Sequence, residues 1–327
     1  MSYTKDQDYS KFTKIVSLLY LALIILTIGL MILSFPLGLY IVFISDLARN
    51  AINTFGEQII NFVRGLFIIF WLIYLVLFVK AIQGPRLPLN KVPRSALNYG
   101  LKSIFDNTLS ALSVTFSALL LITVFITLLQ NSVGIETGSI PEIDPVLAFI
   151  SSSIAPLEEE IIFRVAIIGT LSVILLSVRR IRFNPLKVLW HPARYVSKLG
   201  KKATRIVYFS IFVSGTLFGY AHIAFGTGWE IGKVTTSALA GIILGLIYFF
   251  YGFPGAVLLH WSFNYFLDSY YYFYEAIKDG GLSYFANFIV IIVGLASVLF
   301  LSIYALKKLF KVNNKQGIIE RENNVRF

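Results

Sequence analysis

Three consecutive glutamates and an arginine lie inside an otherwise apolar stretch of this sequence. Glu158, Glu159 and Glu160 are followed by Arg164, and the surrounding segment 146–177 is almost entirely apolar. Because that segment exceeds the ~20 residues that cross a bilayer, we predict that the charges lie in a transmembrane helix or at its mouth. Each charge at the bilayer centre costs at least ~2.5–3.5 kcal/mol. Such a cost indicates that the charges have a function.

Two of the three histidines also fall in or beside apolar stretches. His222 follows Phe218 by one helical turn, and Asn264 follows His260 by one turn, so each pair shares a helix face. Asp268 lies one turn further along the second face. A single histidine in a membrane helix is more often a hydrogen-bonded packing residue than a catalyst. Lipid offers polar groups no partners, however, so groups on three different spans are expected to meet inside the bundle.

The spacing of these residues indicates acid–base chemistry. Glu160 and Arg164 are placed to form an ion pair along one helix, which leaves Glu159 turned about 100° away and free to face other spans. A carboxylate in a low-dielectric site is a competent general base. Histidine and asparagine side chains can hold a water and stabilise an oxyanion. A metal bound by Glu159, His222 and His260 is the alternative, although no H-E-x-x-H pair occurs.

The elements that position these residues are membrane helices. The chain has 327 residues, of which 57% are hydrophobic and 14% charged, and its mean hydropathy is +0.77. This composition excludes an ordinary water-soluble domain and predicts an all-α, polytopic membrane protein. Eight stretches are long enough to span: 15–44, 59–79, 109–129, 146–177, 206–225, 234–250, 255–274 and 282–306. Pro36 is expected to kink or end the first.

We therefore expect one integral membrane domain over residues 1–327. The chemical motifs occupy 146–274, and residues 312–327 are predicted to be a flexible polar tail. The segment 179–205, rich in basic and aromatic residues, is predicted to be interfacial. Cysteine is absent, which excludes thiolate metal ligands and a cysteine nucleophile.

Charge orients the predicted spans. The net charge is +11, and the basic residues concentrate in segments that eight crossings place on one side of the membrane. The positive-inside rule then places both termini in the cytoplasm of a cell-membrane protein. Because the charge sits in short loops beside spans, lipid headgroups explain it better than nucleic acid, and no nucleic-acid partner is predicted.

Three motifs in order resemble one known family. Glu159-Glu160-x-x-x-Arg164, Phe218-x-x-x-His222 and His260-x-x-x-Asn264 are similar to the motifs of the CPBP (CAAX protease and bacteriocin-processing) intramembrane proteases, and most closely to CAAX prenyl endopeptidases of the Rce1 type. The resemblance covers residues 155–268. It implies that Glu159 activates water with help from His222, that His260 and Asn264 stabilise the oxyanion, and that Glu160, Arg164 and Phe218 support them.

The predicted function is an intramembrane endopeptidase. Its expected substrate is a membrane-tethered protein or peptide, for example a prenylated CAAX protein, cut near its C-terminus. We expect a glutamate mechanism without a cofactor, with zinc as the alternative. Two other functions would also bury such polar groups: a non-catalytic membrane scaffold, and a proton-coupled transporter.

Overall fold

The computed structural model describes residues 11–139, 144–224 and 228–324, and the side chains of those from 14 to 306. Regular elements in this part of the chain are all helical. The α-helices are α1 Lys11–Phe43, α2 Asp46–Phe55, α3 Glu57–Gln83, α4 Val92–Tyr99, α5 Thr108–Ser132, α6 Pro145–Glu160, α7 Thr170–Val178, α8 Pro185–Trp190, α9 Ala193–Val196, α10 Lys201–Ala224, α11 Ile231–Tyr251, α12 Phe253–Trp261, α13 Leu267–Ile277 and α14 Gly281–Asn324.

Seven helices in the described ranges are long and apolar enough to cross a membrane. They correspond to seven predicted spans, and the fourth runs without a break from Pro145 to Val178 through α6 and α7. The predicted span 255–274 corresponds to three consecutive helical segments of nine, five and eleven residues, from α12 to α13. The protein is therefore an all-α, multi-pass integral membrane protein, as predicted. Phe225 of the predicted fifth span lies outside the described residues.

Pro36 does not end the first span. The helix α1 continues past it to Phe43. Beside the proline, the Phe35 carbonyl accepts hydrogen bonds from Trp71 Nε1 and Tyr265 Oη, each at 3.2 Å. These two hydrogen bonds join α1 to α3 and to the helical segment that carries Tyr265.

The segment 179–205 folds into short helices at one end of the bundle, α8 and α9, before α10 begins. Lys80 lies 5.7 Å from the centre of the Trp190 ring, which joins this segment to α3. Burial, and then the charge of Arg194, lower the pKa of His191 to about 4, so this histidine is neutral at pH 7. The position of the segment at the membrane interface remains a prediction.

Glycines bring α10 and α11 into close contact. A Cβ on Gly219 would lie 2.5 Å from the Val234 carbonyl oxygen, and a Cβ on Gly241 would lie 2.9 Å from the Cα of Gly215. Gly215 and Gly219 are four residues apart, as are Gly241 and Gly245. This spacing is the small-residue pattern that lets membrane helices approach closely. The contact fixes the position of Phe218 and His222 relative to α11.

Candidate active site

Two of the three helices that carry the predicted catalytic motifs contain a π-helical segment. Residues Ile161–Gly169 follow Glu160 directly and include Arg164. Residues Ser262–Phe266 follow the turn that carries His260 and include Asn264. A π segment widens the helix locally and is frequent at functional sites. Here the two wide segments flank the polar residues that the sequence singled out.

The predicted ion pair of Glu160 and Arg164 is present. Arg164 Nε lies 3.1 Å from Glu160 Oε2, and both side chains are fully buried. The two atoms lack hydrogen-bond alignment, so the contact is an ion pair by distance. Arg164 Nη2 also donates to the Gly241 carbonyl at 3.4 Å. The guanidinium thus ties α6 to α11.

His260 lies between two glutamates. Its Nδ1 donates to Glu160 Oε1 at 2.9 Å, and its Nε2 is 3.7 Å from Glu159 Oε2. Glu159 keeps about a third of its side chain exposed, whereas Glu160 is fully buried. Because Nδ1 is hydrogen-bonded to Glu160, the other ring nitrogen, Nε2, faces Glu159. Two adjacent acids therefore differ in role: Glu160 holds the histidine, and Glu159 stays accessible.

Asn264 is held by the opposite helix. Its Nδ2 donates to the Ser152 carbonyl at 3.3 Å, and the Ser152 hydroxyl donates to Asp268 Oδ2 at 2.5 Å. Ser152 belongs to α6 and Asp268 to α13, so the chain of hydrogen bonds fixes the two catalytic helices against each other. An amide nitrogen has two hydrogens. The second hydrogen of Asn264 Nδ2 remains for a ligand.

Phe218 is the aromatic centre of the site. Its ring centroid lies 4.5 Å from the Arg164 guanidinium carbon, 4.8 Å from the His222 ring and 5.6 Å from the His260 ring. His222 Nδ1 donates to the Phe218 carbonyl at 2.8 Å. A carbonyl only accepts, so the hydrogen of this contact is on His222 Nδ1. Phe218 thus keeps both imidazoles in place by edge-to-face packing.

A cavity of about 360 Å³ adjoins these residues. His222, His260, Asn264 and Phe218 lie in its wall. The remaining wall comes from residues of α5, the loop after α5, α11 and the second π segment: Leu120, Thr123, Val124, Thr127, Leu128, Thr137, Lys233, Thr236, Ser237, Ala240, Leu244 and Phe263. The cavity is large enough for several residues of a peptide and mixes apolar surface with hydroxyl groups.

The zinc alternative remains a prediction. No group of three His, Asp or Glu side chains arranged to hold a metal ion occurs among the described residues. His260 Nδ1 contacts Glu160 and His222 Nδ1 contacts its own backbone, and metal-binding histidines make the same kind of second contact. We derive no step through a metal.

The structure brings together every residue of the three sequence motifs. Glu159, Glu160 and Arg164 meet His260, and the cavity joins His260 to His222 and Asn264. Sequence reasoning did not find Lys233, Thr137 or Ser152, nor the contribution of α5 to the cavity. Lys233 had a signal: it is a charged residue at the start of a predicted span. Thr137 and Ser152 had none, because isolated hydroxyl residues are common in membrane helices and loops.

Comparison with known proteins identifies one family. Residues 141–266 match the family described as Type II CAAX prenyl endopeptidase Rce1-like. The match contains all three motifs described above and ends within the second π segment. No curated protein and no solved structure matches the chain.

Proposed function

We propose that this protein, whose residues 141–266 match the Rce1-like family of type II CAAX prenyl endopeptidases, hydrolyses a peptide bond near the C-terminus of a membrane-tethered substrate. The family match supports a protease activity. The position of the cleaved bond, the membrane tether of the substrate and the catalytic residues are our own proposal. The observation that carries it is His260, which lies between Glu159 and Glu160 at the wall of the cavity.

In the proposed reaction Glu159 takes a proton from a water molecule. The resulting hydroxide attacks the carbonyl carbon of the scissile bond, and the developing oxyanion accepts hydrogen bonds from Asn264 Nδ2 and from His260. The carbon–nitrogen bond then breaks, and the leaving amine takes the proton from Glu159. His222 helps to orient the water.

A lipid tether suits a site built into the membrane. A tethered substrate reaches the cavity by lateral diffusion, and a lipid chain adds ~0.8 kcal/mol of membrane affinity per buried CH₂. The proposed substrates are therefore lipid-anchored peptides, with prenylated C-a-a-X sequences the first to test. A farnesylated C-a-a-X peptide is expected to be cleaved faster than its unlipidated twin by the detergent-solubilised protein.

The adjacent glutamates provide a matched test of the catalytic base. Glu159→Gln should abolish cleavage and leave the melting temperature close to that of the wild type, because the buried Glu160–Arg164 pair is retained. Glu158→Gln is the control, since Glu158 is exposed and should remain active. Activity of Glu159→Gln within tenfold of the wild type would contradict the assignment. Full wild-type activity in 1,10-phenanthroline is expected, and a loss restored by added zinc would require a metal site.

A further inference from the structure

The basic segment, residues 179–205, carries many cations and no acid. Its lysines and arginines are all exposed: Arg179, Arg180, Arg182, Lys187, Arg194, Lys198, Lys201, Lys202 and Arg205. The sequence has no Asp or Glu from 161 to 229. No salt bridge joins any of these cations to a carboxylate in the described part of the chain. The segment therefore presents positive charge that the protein does not neutralise.

The basic segment also exposes an apolar surface. In α8, Leu186 is 76% exposed and Trp190 is 45% exposed. The two residues are four positions apart, so they share one face of the helix. Val188, on the opposite face, is fully buried. Exposed aromatic and aliphatic side chains next to lysines and arginines are typical of a segment that lies at a membrane surface.

The helix α8 packs against the end of the first π segment. Its Leu189 carbonyl accepts a hydrogen bond from Tyr248 Oη at 2.6 Å. Gly169 is the last residue of the π segment that includes Arg164. A Cβ on Gly169 would lie 2.5 Å from Tyr248 Oη and 2.9 Å from Leu189 Cδ2. Leu189 and Tyr248 thus lie directly against the end of a segment that carries a catalytic motif.

The same short helix contacts the start of α12, which carries His260. The rings of Trp190 and Phe253 lie 5.8 Å apart. Gly252 precedes α12 with a φ of +80°, and a Cβ there would lie 2.5 Å from the Trp190 carbonyl oxygen. The backbone of α8 therefore meets Gly252 without an intervening side chain. A ligand that holds α8 in place would also hold the ends of both motif-bearing helices.

We propose that the basic segment binds the headgroups of anionic phospholipids, and that this binding stabilises the two motif-bearing helices against which α8 packs. The sequence predicts that the segment is cytoplasmic, and the cytoplasmic leaflet is the one that carries anionic lipid. Each lysine or arginine near such a surface strengthens binding by about fivefold. The inference goes beyond the proposed peptidase and does not depend on it.

The test compares phosphatidylglycerol with phosphatidylcholine. Native mass spectrometry of the detergent-solubilised full chain measures binding of each lipid, and thermal unfolding in nanodiscs of phosphatidylcholine, with or without phosphatidylglycerol, measures stability. The wild type is expected to bind phosphatidylglycerol at least about tenfold more tightly than phosphatidylcholine. It should also melt at least about 2 °C higher when phosphatidylglycerol is present. Lys198→Gln/Lys201→Gln/Lys202→Gln/Arg205→Gln should lose most of both effects.

Two further variants separate charge in general from this segment and binding from stabilisation. Arg49→Gln/Lys278→Gln removes exposed cations that already pair with Asp46 and Glu275, so it should keep both effects. Tyr248→Phe removes the hydrogen bond to the Leu189 carbonyl. It should bind phosphatidylglycerol like the wild type but gain less in melting temperature.

Equal binding of the two lipids by the wild type would overturn the inference, as would a full preference in the quadruple glutamine variant. Soluble glycerol phosphate is expected not to compete with phosphatidylglycerol. Effective competition would show a site for a free phosphate group and would contradict a lipid site. An undiminished gain in melting temperature in Tyr248→Phe would contradict the stabilisation through α8.

Discussion

Asn264 is the residue whose role depends most on how it is held. One hydrogen of its Nδ2 goes to the Ser152 carbonyl, and Ser152 is itself bonded to Asp268. The amide is therefore oriented before substrate arrives. A donor oriented in advance stabilises charge that develops in the transition state without a cost of reorganisation.

Asn264→Ala should therefore lower kcat by about 10² to 10³ with KM nearly unchanged, because the lost donor acts in the transition state. Ser269→Ala is the control: this buried hydroxyl on α13 bonds only to the Phe266 carbonyl in its own helix. Steady-state kinetics on the cleaved peptide measure both constants. A raised KM with unchanged kcat would instead assign Asn264 to substrate binding.

Arg164 is predicted to act on stability as well as activity. Arg164→Ala leaves the buried Glu160 without its arginine partner, and removing one partner of such a pair costs ~3–5 kcal/mol. Removing both charges in Glu160→Gln/Arg164→Met should restore much of that stability but not activity. Thermal unfolding in detergent compares the three proteins. A stable, well-expressed but inactive Arg164→Ala would show that the arginine contacts substrate instead.

At the scale of helices, the site depends on the close contact of α10 with α11. Phe218 and His222 face the other catalytic residues only because glycines allow this approach. Larger side chains at these positions would push the helices apart. Such overpacking of a core lowers the free energy of unfolding by ~1–3 kcal/mol.

Gly219→Ala should therefore lower both the melting temperature and the cleavage rate, since its Cβ would meet the Val234 carbonyl oxygen at 2.5 Å. Gly65→Ala is the matched control because no atom lies within 4 Å of a Cβ built at that position. Alanine is favoured over glycine by about 1 kcal/mol in a helix, so the control should be neutral or slightly stabilising. An unchanged Gly219→Ala protein would show that α10 and α11 can adjust without harm.

At the scale of the molecule, charge is distributed unevenly along the bundle. The basic segment around α8 and α9 lies at one end, whereas Thr137 and Lys233 lie at the other, beside the end of α5. With both termini cytoplasmic, as the sequence predicts, the end of α5 is expected on the non-cytoplasmic side of the membrane.

Cysteine labelling tests this orientation without background, because the chain has no cysteine. Ser132→Cys at the end of α5 should react with a membrane-impermeant maleimide in intact cells. Ser197→Cys in the basic segment should react only after the membrane is permeabilised. Both side chains are exposed on the protein surface, so a difference in labelling reports the side of the membrane on which each residue lies. The reverse pattern would place the termini outside the cytoplasm.

The sequence by itself determined the fold class, the spans and the motif residues. Spans can be read from hydropathy because lipid requires each backbone polar group to be satisfied within its own helix, which makes the signal local. The Glu160–Arg164 pair was predictable for the same reason, since both residues belong to one helix.

Only the tertiary structure decided which glutamate holds His260, where the π segments fall, and that Lys233 and Thr137 share a cavity with the catalytic residues. These features join helices that are distant in the sequence: His260 and Glu160, for example, are 100 residues apart. Helix periodicity describes one helix at a time. Close packing between helices, set here by glycines and a buried arginine, chooses among the many ways in which those helices could meet.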